Sequence, residues 1–146
     1  MVVLRCTQKL LARLTRPEVP ADVASTTRLG DWYGNILQIG RRQHLLFISE
    51  RSRLPVVIPI REAKRLEAVF PDAVCHVLAA VGIGAEDIAD ERSRMSEISF
   101  GRTNNRSLLG TLNDSLSWRS KAAPIGLNRS LLRSSCASSP RRRFFR

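Results

Sequence analysis

Apolar positions in this chain alternate between short dense runs and stretches with helical spacing, and that pattern predicts most of its elements. Val2–Cys6 is an apolar run interrupted only by Arg5, as expected of a short buried strand. Thr7 then stands where a helix N-cap belongs, and Leu10, Leu11 and Leu14 fall on one face of a helix ending near Leu14. Thr15–Leu29 holds Pro17 and Pro20 and reads as a loop. Trp32–Ile39 and His44–Ser49 are strands separated by Gly40-Arg41-Arg42-Gln43, a hairpin signal. Leu54–Ile60 is a further strand, and Pro55 and Pro59 within it make it short or place it at a sheet edge.

Helical periodicity resumes over Arg61–Val81, through Leu66, Phe70, Val74, Val77 and Leu78. Pro71 cannot sit inside an unbroken helix without cost, so a kink or a pair of helices is expected, with Pro71 opening the second half. Gly82 and Gly84 end this region, and Ala85–Glu91 adds one or two turns. Glu97–Arg102 is the last strand and Asn105–Leu116 the last helix, with Leu108, Leu109, Leu112 and Leu116 at helical spacing. The order β-α-β-β-β-α-α-β-α predicts a single α+β domain over residues 1–118, a mainly antiparallel sheet with helices packed on one face.

Composition changes this picture at the C-terminus. The chain has 146 residues and a net charge of +11. Residues 1–118 hold 16 Lys and Arg against 13 acids, a net of +3, whereas residues 119–146 hold 8 basic residues and no acid. The basic character therefore belongs to a Ser/Arg-rich tail that lacks the apolar content to bury itself and is expected to be disordered. If nucleic acid is a partner, this tail is the expected contact. Either it is a nucleic-acid-binding extension or it is a degraded or frame-shifted end.

Several function classes are disfavoured. Aromatics make up only 5% of the chain, too few for a binder of single strands built on base stacking. Cys6, Cys75 and Cys136 are odd in number and widely spaced, which supports neither a disulfide framework nor a metal site. No secretory leader and no membrane span are visible, so a cytoplasmic protein is the expectation. There is no phosphate-binding glycine loop, dinucleotide fingerprint, nucleophile elbow or zinc-protease motif, and no cofactor is expected.

The densest chemistry lies at the turn into the last helix. Arg102, Thr103, Asn104, Asn105 and Arg106 precede Leu108, and Asn113 and Asp114 follow. One explanation is structural: Asn104 or Asn105 caps the helix, and Asn113 and Asp114 bond neighbouring loops. The functional one is an anion- or partner-binding site, with two arginines flanking a helix N-terminus. Trp32 and Tyr33 are consecutive on a strand and face opposite sides, so one belongs to the core and the other is a candidate for a pocket or partner surface.

Leu4–Leu11, Trp32–Leu37, Arg41–Ile48 and Thr103–Asp114 together resemble a family of small uncharacterised bacterial domains. Its members open on a strand and a "TKKLL"-like helix, continue with a "WYANL"-like strand and close on a "TNNRSVLGSMND"-like turn and helix. The resemblance covers roughly residues 2–116. It implies an architecture and no activity. The favoured expectation is a binding or interaction domain with its site around 102–114. The alternatives are a small toxin-like nuclease acting on RNA, with His44 or His76 as general base, and a basic-tailed nucleic-acid-binding protein.

Overall fold

The computed structural model describes residues 1–103 and Gly110. The elements run β1 (Val2–Cys6), α1 (Gln8–Leu14), β2 (Trp32–Ile39), β3 (Arg42–Ser49), β4 (Pro55–Pro59), a 3-10 segment (Ile60–Arg65), α2 (Leu66–Ala80), α3 (Ala85–Arg94) and β5 (Ile98–Arg102). The α+β class and the order of elements agree with expectation. The helix expected at Asn105–Leu116 and the tail at 119–146 lie outside the described residues.

The sheet itself differs from the expected one. Its strand order is β4-β3-β2-β1-β5, and while β2–β3 and β3–β4 are antiparallel, β1 pairs in parallel with both β2 and β5. The sheet is mixed rather than mainly antiparallel. The reason lies in the connections: α1 and the long Thr15–Asp31 segment carry the chain back to the starting end of β1, so β2 must enter in the same direction. α2 and α3 lead back in the same way to β5.

The antiparallel half follows local rules. Ile39 pairs with Arg42, leaving Gly40-Arg41 as a two-residue hairpin loop in which Gly40 takes φ +61°, a left-handed value suited to glycine. β4 lies at the sheet edge, where Pro55 and Pro59 remove ladder donors at little cost.

Alternation along the strands sorts side chains onto two faces. Val2, Leu4 and Cys6 join Trp32, Leu45, Phe47, Val56, Ile58 and Phe100 on the helical face, where Leu10, Leu11 and Leu14 of α1 and Leu66, Phe70, Val74 and Leu78 of α2 close the core. Phe70 packs edge-on against Trp32 and Phe47, each at a ring separation of 5.3 Å. Gly34 makes room for this arrangement, because a Cβ there would lie 2.5 Å from the Phe47 ring. On the far face Tyr33, Leu37, Leu46 and Ile48 form a second, smaller buried cluster.

The break in the long helical region falls earlier than Pro71. The 3-10 segment gives way to α2 at Leu66, and Pro71 sits inside a continuous helix. Its ring removes the bond that would reach the carbonyl of Glu67, an exposed residue on the solvent side. α3 is longer than the one or two turns expected, and its acidic run is not uniformly solvated. Glu91 is buried, and its carboxylate accepts bonds from the amides of Arg28 and Leu29 at 3.1 and 3.3 Å. It thereby fastens the Thr15–Asp31 segment to α3, satisfying backbone donors that a buried loop would otherwise leave orphaned.

Candidate functional site

The carboxyl ends of the three parallel strands meet at one place. Thr7 donates its amide to the Gly34 carbonyl at 3.0 Å, and Thr103 donates its own to the Cys6 carbonyl at 3.1 Å. Both ladders thus run one residue past the strands, in a register where Cys6 faces Gly34 on one side and Arg102 on the other. The next residues, Thr103, Thr7 and Asn35, then form a polar row across the far face. Two residues back on that face lies the row Gly101–Arg5–Tyr33.

Thr7 holds the N-cap position of α1 but makes no side-chain cap bond. Its hydroxyl is turned sideways and donates to Asn35 Oδ1 at 3.1 Å, an oxygen that also accepts the Ile36 amide at 2.8 Å. Among the described residues the Nδ2 group of Asn35 has no partner, and it keeps two donors available. Thr103 Oγ1 is buried with no hydrogen-bond partner.

Arg5 occupies the row below and is 3% exposed. Its Nε donates to Asp31 Oδ2 at 2.9 Å, and its Nη2 donates to the carbonyls of Ala21 and Val23. Asp31 in turn accepts the Ser25 amide at 2.8 Å. This buried pair folds the Thr15–Asp31 segment over β1. Arg5 Nη1 is left over: it has no partner and lies against Gly101, where a Cβ would sit 2.8 Å from it. Further along the same face, His44 stands opposite Leu37 on β2, and its Nδ1 is also buried without a partner. Four buried side-chain nitrogen or oxygen atoms among the described residues lack partners, and three of them, Arg5 Nη1, Thr103 Oγ1 and His44 Nδ1, are on the far face. Buried polar groups without partners are rare enough that three on one face call for a reason.

Of the residues proposed from sequence, the structure brings Thr103 into this row and places Arg102 one row back, level with Cys6, where alternation turns its side chain to the other side of the sheet. The Arg102 side chain is exposed and pairs through Nε with Glu18 at 3.2 Å. Tyr33 lies on the same face, buried beside Arg5. Trp32 points the other way into the helical core and is not brought to the row. Asn104, Asn105, Arg106, Asn113 and Asp114 lie outside the described residues. Thr7, Asn35 and Arg5 were not anticipated as site residues. Thr7 reads as a helix cap, and only the parallel register reveals that Asn35 and Thr103 flank it.

Other chemistry is dispersed. Exposed His76 on α2 and His44 on the far face lie on opposite sides of the sheet and form no pair. Burial in the core pushes the Cys6 thiol up to about 12, which makes it a poor nucleophile at neutral pH. Cys75 is half-buried on α2, and its Sγ accepts from Arg92 Nη1 at 3.8 Å. Among the described residues no group of three or more His, Cys, Asp or Glu is placed to hold a metal ion. None of their helices is long and apolar enough to cross a membrane. A cavity of about 220 Å³ beside β5 is lined by Glu18 and Glu67 against a single cation, Arg16, so it does not suit an anion.

A family model described as a domain of unknown function (DUF6933) matches residues 3–124, and the chain belongs to that family. The match agrees with the resemblance noted from the sequence and extends six residues past the domain boundary expected at 118. No curated protein and no solved structure matches the chain.

Proposed function

We propose that this member of a family of unknown function is a binding domain, and that its ligand site lies on the far face where β1, β2 and β5 end. The single observation that carries this is that Arg5 Nη1 and Thr103 Oγ1, both buried and without partners, lie on the same face as the Thr7–Asn35 bond in the last two rows of the parallel strands. The free groups are mostly donors: a guanidinium nitrogen, the Asn35 amide and a hydroxyl. A ligand rich in acceptors, a small carboxylate or phosphate, suits them best. In the sequence Asn104, Asn105 and Arg106 follow Thr103 directly. Thr103 is the residue that this site shares with the one expected over 102–114.

Thr103→Val tests this. A hydroxyl with no partner in the free protein stabilises nothing, so replacing it with a methyl should leave the melting temperature unchanged or slightly raised. Stabilisation of the full chain by millimolar inorganic phosphate or by a small dicarboxylate such as succinate, followed as a thermal shift, should be lost in the variant. A marked drop in stability of Thr103→Val without ligand would show that Oγ1 serves the fold, and the proposal would fall.

A further inference from the structure

Charge on the described surface is neutralised unevenly. Around α3, Arg28 pairs with Asp87 and Asp90, Arg92 with Asp72, and Arg94 with Asp90. α1 and the 3-10 segment behave differently. α1 turns Leu10, Leu11 and Leu14 inward, which leaves Lys9 and Arg13 on its exposed side, four residues and about 6 Å apart along the axis. Just beyond the helix, Arg16 donates to the Lys64 carbonyl at 3.4 Å and pairs with Glu67 at 3.5 Å. That contact draws the exposed Lys64 and Arg65 up to the end of α1. Glu67 is occupied by Arg16, and Glu62 is paired with Arg61. Among the described residues Lys9, Arg13, Lys64 and Arg65 have no side-chain partner, so four unpaired positive charges lie on α1 and on the 3-10 segment that Arg16 ties to it. The macrodipole of α1 accounts for a cation at Arg13, in the last turn, and for none of the other three.

We infer that this surface binds the phosphate backbone of a double-stranded nucleic acid. The large exposed hydrophobics, Ile39, Val57, Val81 and Ile83, all lie elsewhere, so the stretch lacks the apolar anchor that concentrates binding energy in protein interfaces. It also has no aromatic ring on which the bases of a single strand would stack. Backbone phosphates need neither; they are held by cations and repay each one by releasing a condensed counterion. The charge of residues 119–146 makes the tail an obvious contact, but the domain carries cations of its own for the same purpose. This surface is on the helical side of the sheet, opposite the polar row, so it stands independently of the anion site.

The test is fluorescence anisotropy of the full chain with a DNA duplex and with an RNA duplex over a salt series, for wild type and for K9A/R13A/K64A/R65A. With all four cations on phosphates, the logarithmic salt slope of the variant on B-form DNA should be shallower by about 3.6, at about 0.9 per contact. Loss on either duplex supports the inference, and the stronger loss identifies the preferred nucleic acid. Should the fourfold variant fail to fold, K9A/R13A and K64A/R65A carry the test, each with about half the change in slope. An unchanged slope would assign all phosphate contacts to the tail and overturn the inference. So would loss of binding to phosphatidylserine vesicles with duplex binding intact, which would make this a lipid-facing surface. Thr103→Val should keep the wild-type slope, so failure of either proposal is visible without the other.

Discussion

Alternate residues of the same short segment build two different kinds of interior. Val2, Leu4 and Cys6 enter a continuous apolar core under two helices, whereas Val3, Arg5 and Thr7 face a side that mixes an apolar cluster with a buried ion pair and a polar row. On the helical face order comes from shape: Phe70 fits edge-on between Trp32 and Phe47, and Gly34 is there because a side chain would not be. On the far face order comes from hydrogen-bond accounting. Arg5 is held by Asp31 and two carbonyls, and two of the groups left over, Arg5 Nη1 and Thr103 Oγ1, lie toward the ends of the parallel strands. The first face is saturated. The second has valence to spare, which is what a site requires.

The largest effects separate the two faces by how they can be repaired. Phe70→Ala should cost about 3–5 kcal/mol in a denaturant titration, because two ring contacts are lost and a cavity remains. Asp31→Ala should cost a similar amount, about 3–5 kcal/mol, by stranding the Arg5 charge in the interior. The remedies differ. Arg5→Met combined with Asp31→Leu should recover most of the second loss, since apolar residues of like volume often replace a buried ion pair at no net cost. If the double variant is no more stable than Asp31→Ala alone, the far face depends on specific polar geometry more than on burial.

The glycines give a sharper and smaller contrast. Gly34→Ala places a Cβ 2.5 Å from a ring locked in the core and should cost about 1–3 kcal/mol. Gly101→Ala crowds only the end of the Arg5 side chain, at 2.8 Å, its next neighbours Arg5 Cδ and Val19 Cγ2 lying at an ordinary 3.5 Å, and should cost less than Gly34→Ala by the same chemical-denaturation measurement. Equal penalties would mean that Arg5 is as immovable as Phe47.

The helical face was legible in the sequence, and the far face was not. Leu10, Leu11 and Leu14, or Leu66, Phe70, Val74 and Leu78, announce an inward face because helix periodicity is local. Pro55 and Pro59 announce an edge strand, and Gly40 a hairpin, for equally local reasons. The direction of β1 against its neighbours has no local signature; it depends on where two crossovers return the chain. Arg5 therefore reads as a flaw in an apolar run until Asp31, far along the chain, is seen beside it. The same ignorance of register hid the Thr103–Thr7–Asn35 row, although Thr103 itself stood out in the motif. Pro71 misled in the other direction, since the real change of helix type comes at Leu66, where no breaker marks it.

Titration distinguishes the faces again, on a smaller scale. The Cys6 thiol is raised from 9.0 to about 12 by burial in the apolar core. The folded state thus holds this proton more tightly than the unfolded chain, so the contribution is complete below pH 9 and is lost as pH rises from 9 toward 12. Between pH 8 and 10 the wild type should lose about 1 kcal/mol that Cys6→Ala does not lose, measured by urea unfolding at each pH. Identical pH dependence in the two proteins would mean that the thiol reaches water in the native state.

The smallest expected effect on stability lies at the exposed end of β5. Arg102 pairs with Glu18 at 3.2 Å, but both side chains are well exposed, at 66% and 41%. Solvent and salt screen such a pair, and holding two long side chains in place costs entropy, so Arg102→Ala should change stability by less than about 1 kcal/mol. Its effect on ligand should be disproportionate. Arg102 is the one cation of the expected site among the described residues; it stands exposed at the end of β5, next in the chain to Thr103, and although its side chain faces the other side of the sheet its charge is near enough to act on the polar row through solvent. The stabilisation conferred by phosphate on the full chain should therefore weaken in Arg102→Ala and depend less on ionic strength, while the unliganded melting temperature stays put. Glu18→Gln provides the opposite sign: it releases Arg102 from its carboxylate and should strengthen the phosphate effect at the same small cost. A loss of several degrees on removing Arg102, with the phosphate response intact, would make it a strut between β5 and the Thr15–Asp31 segment and leave the anion to the interior groups alone.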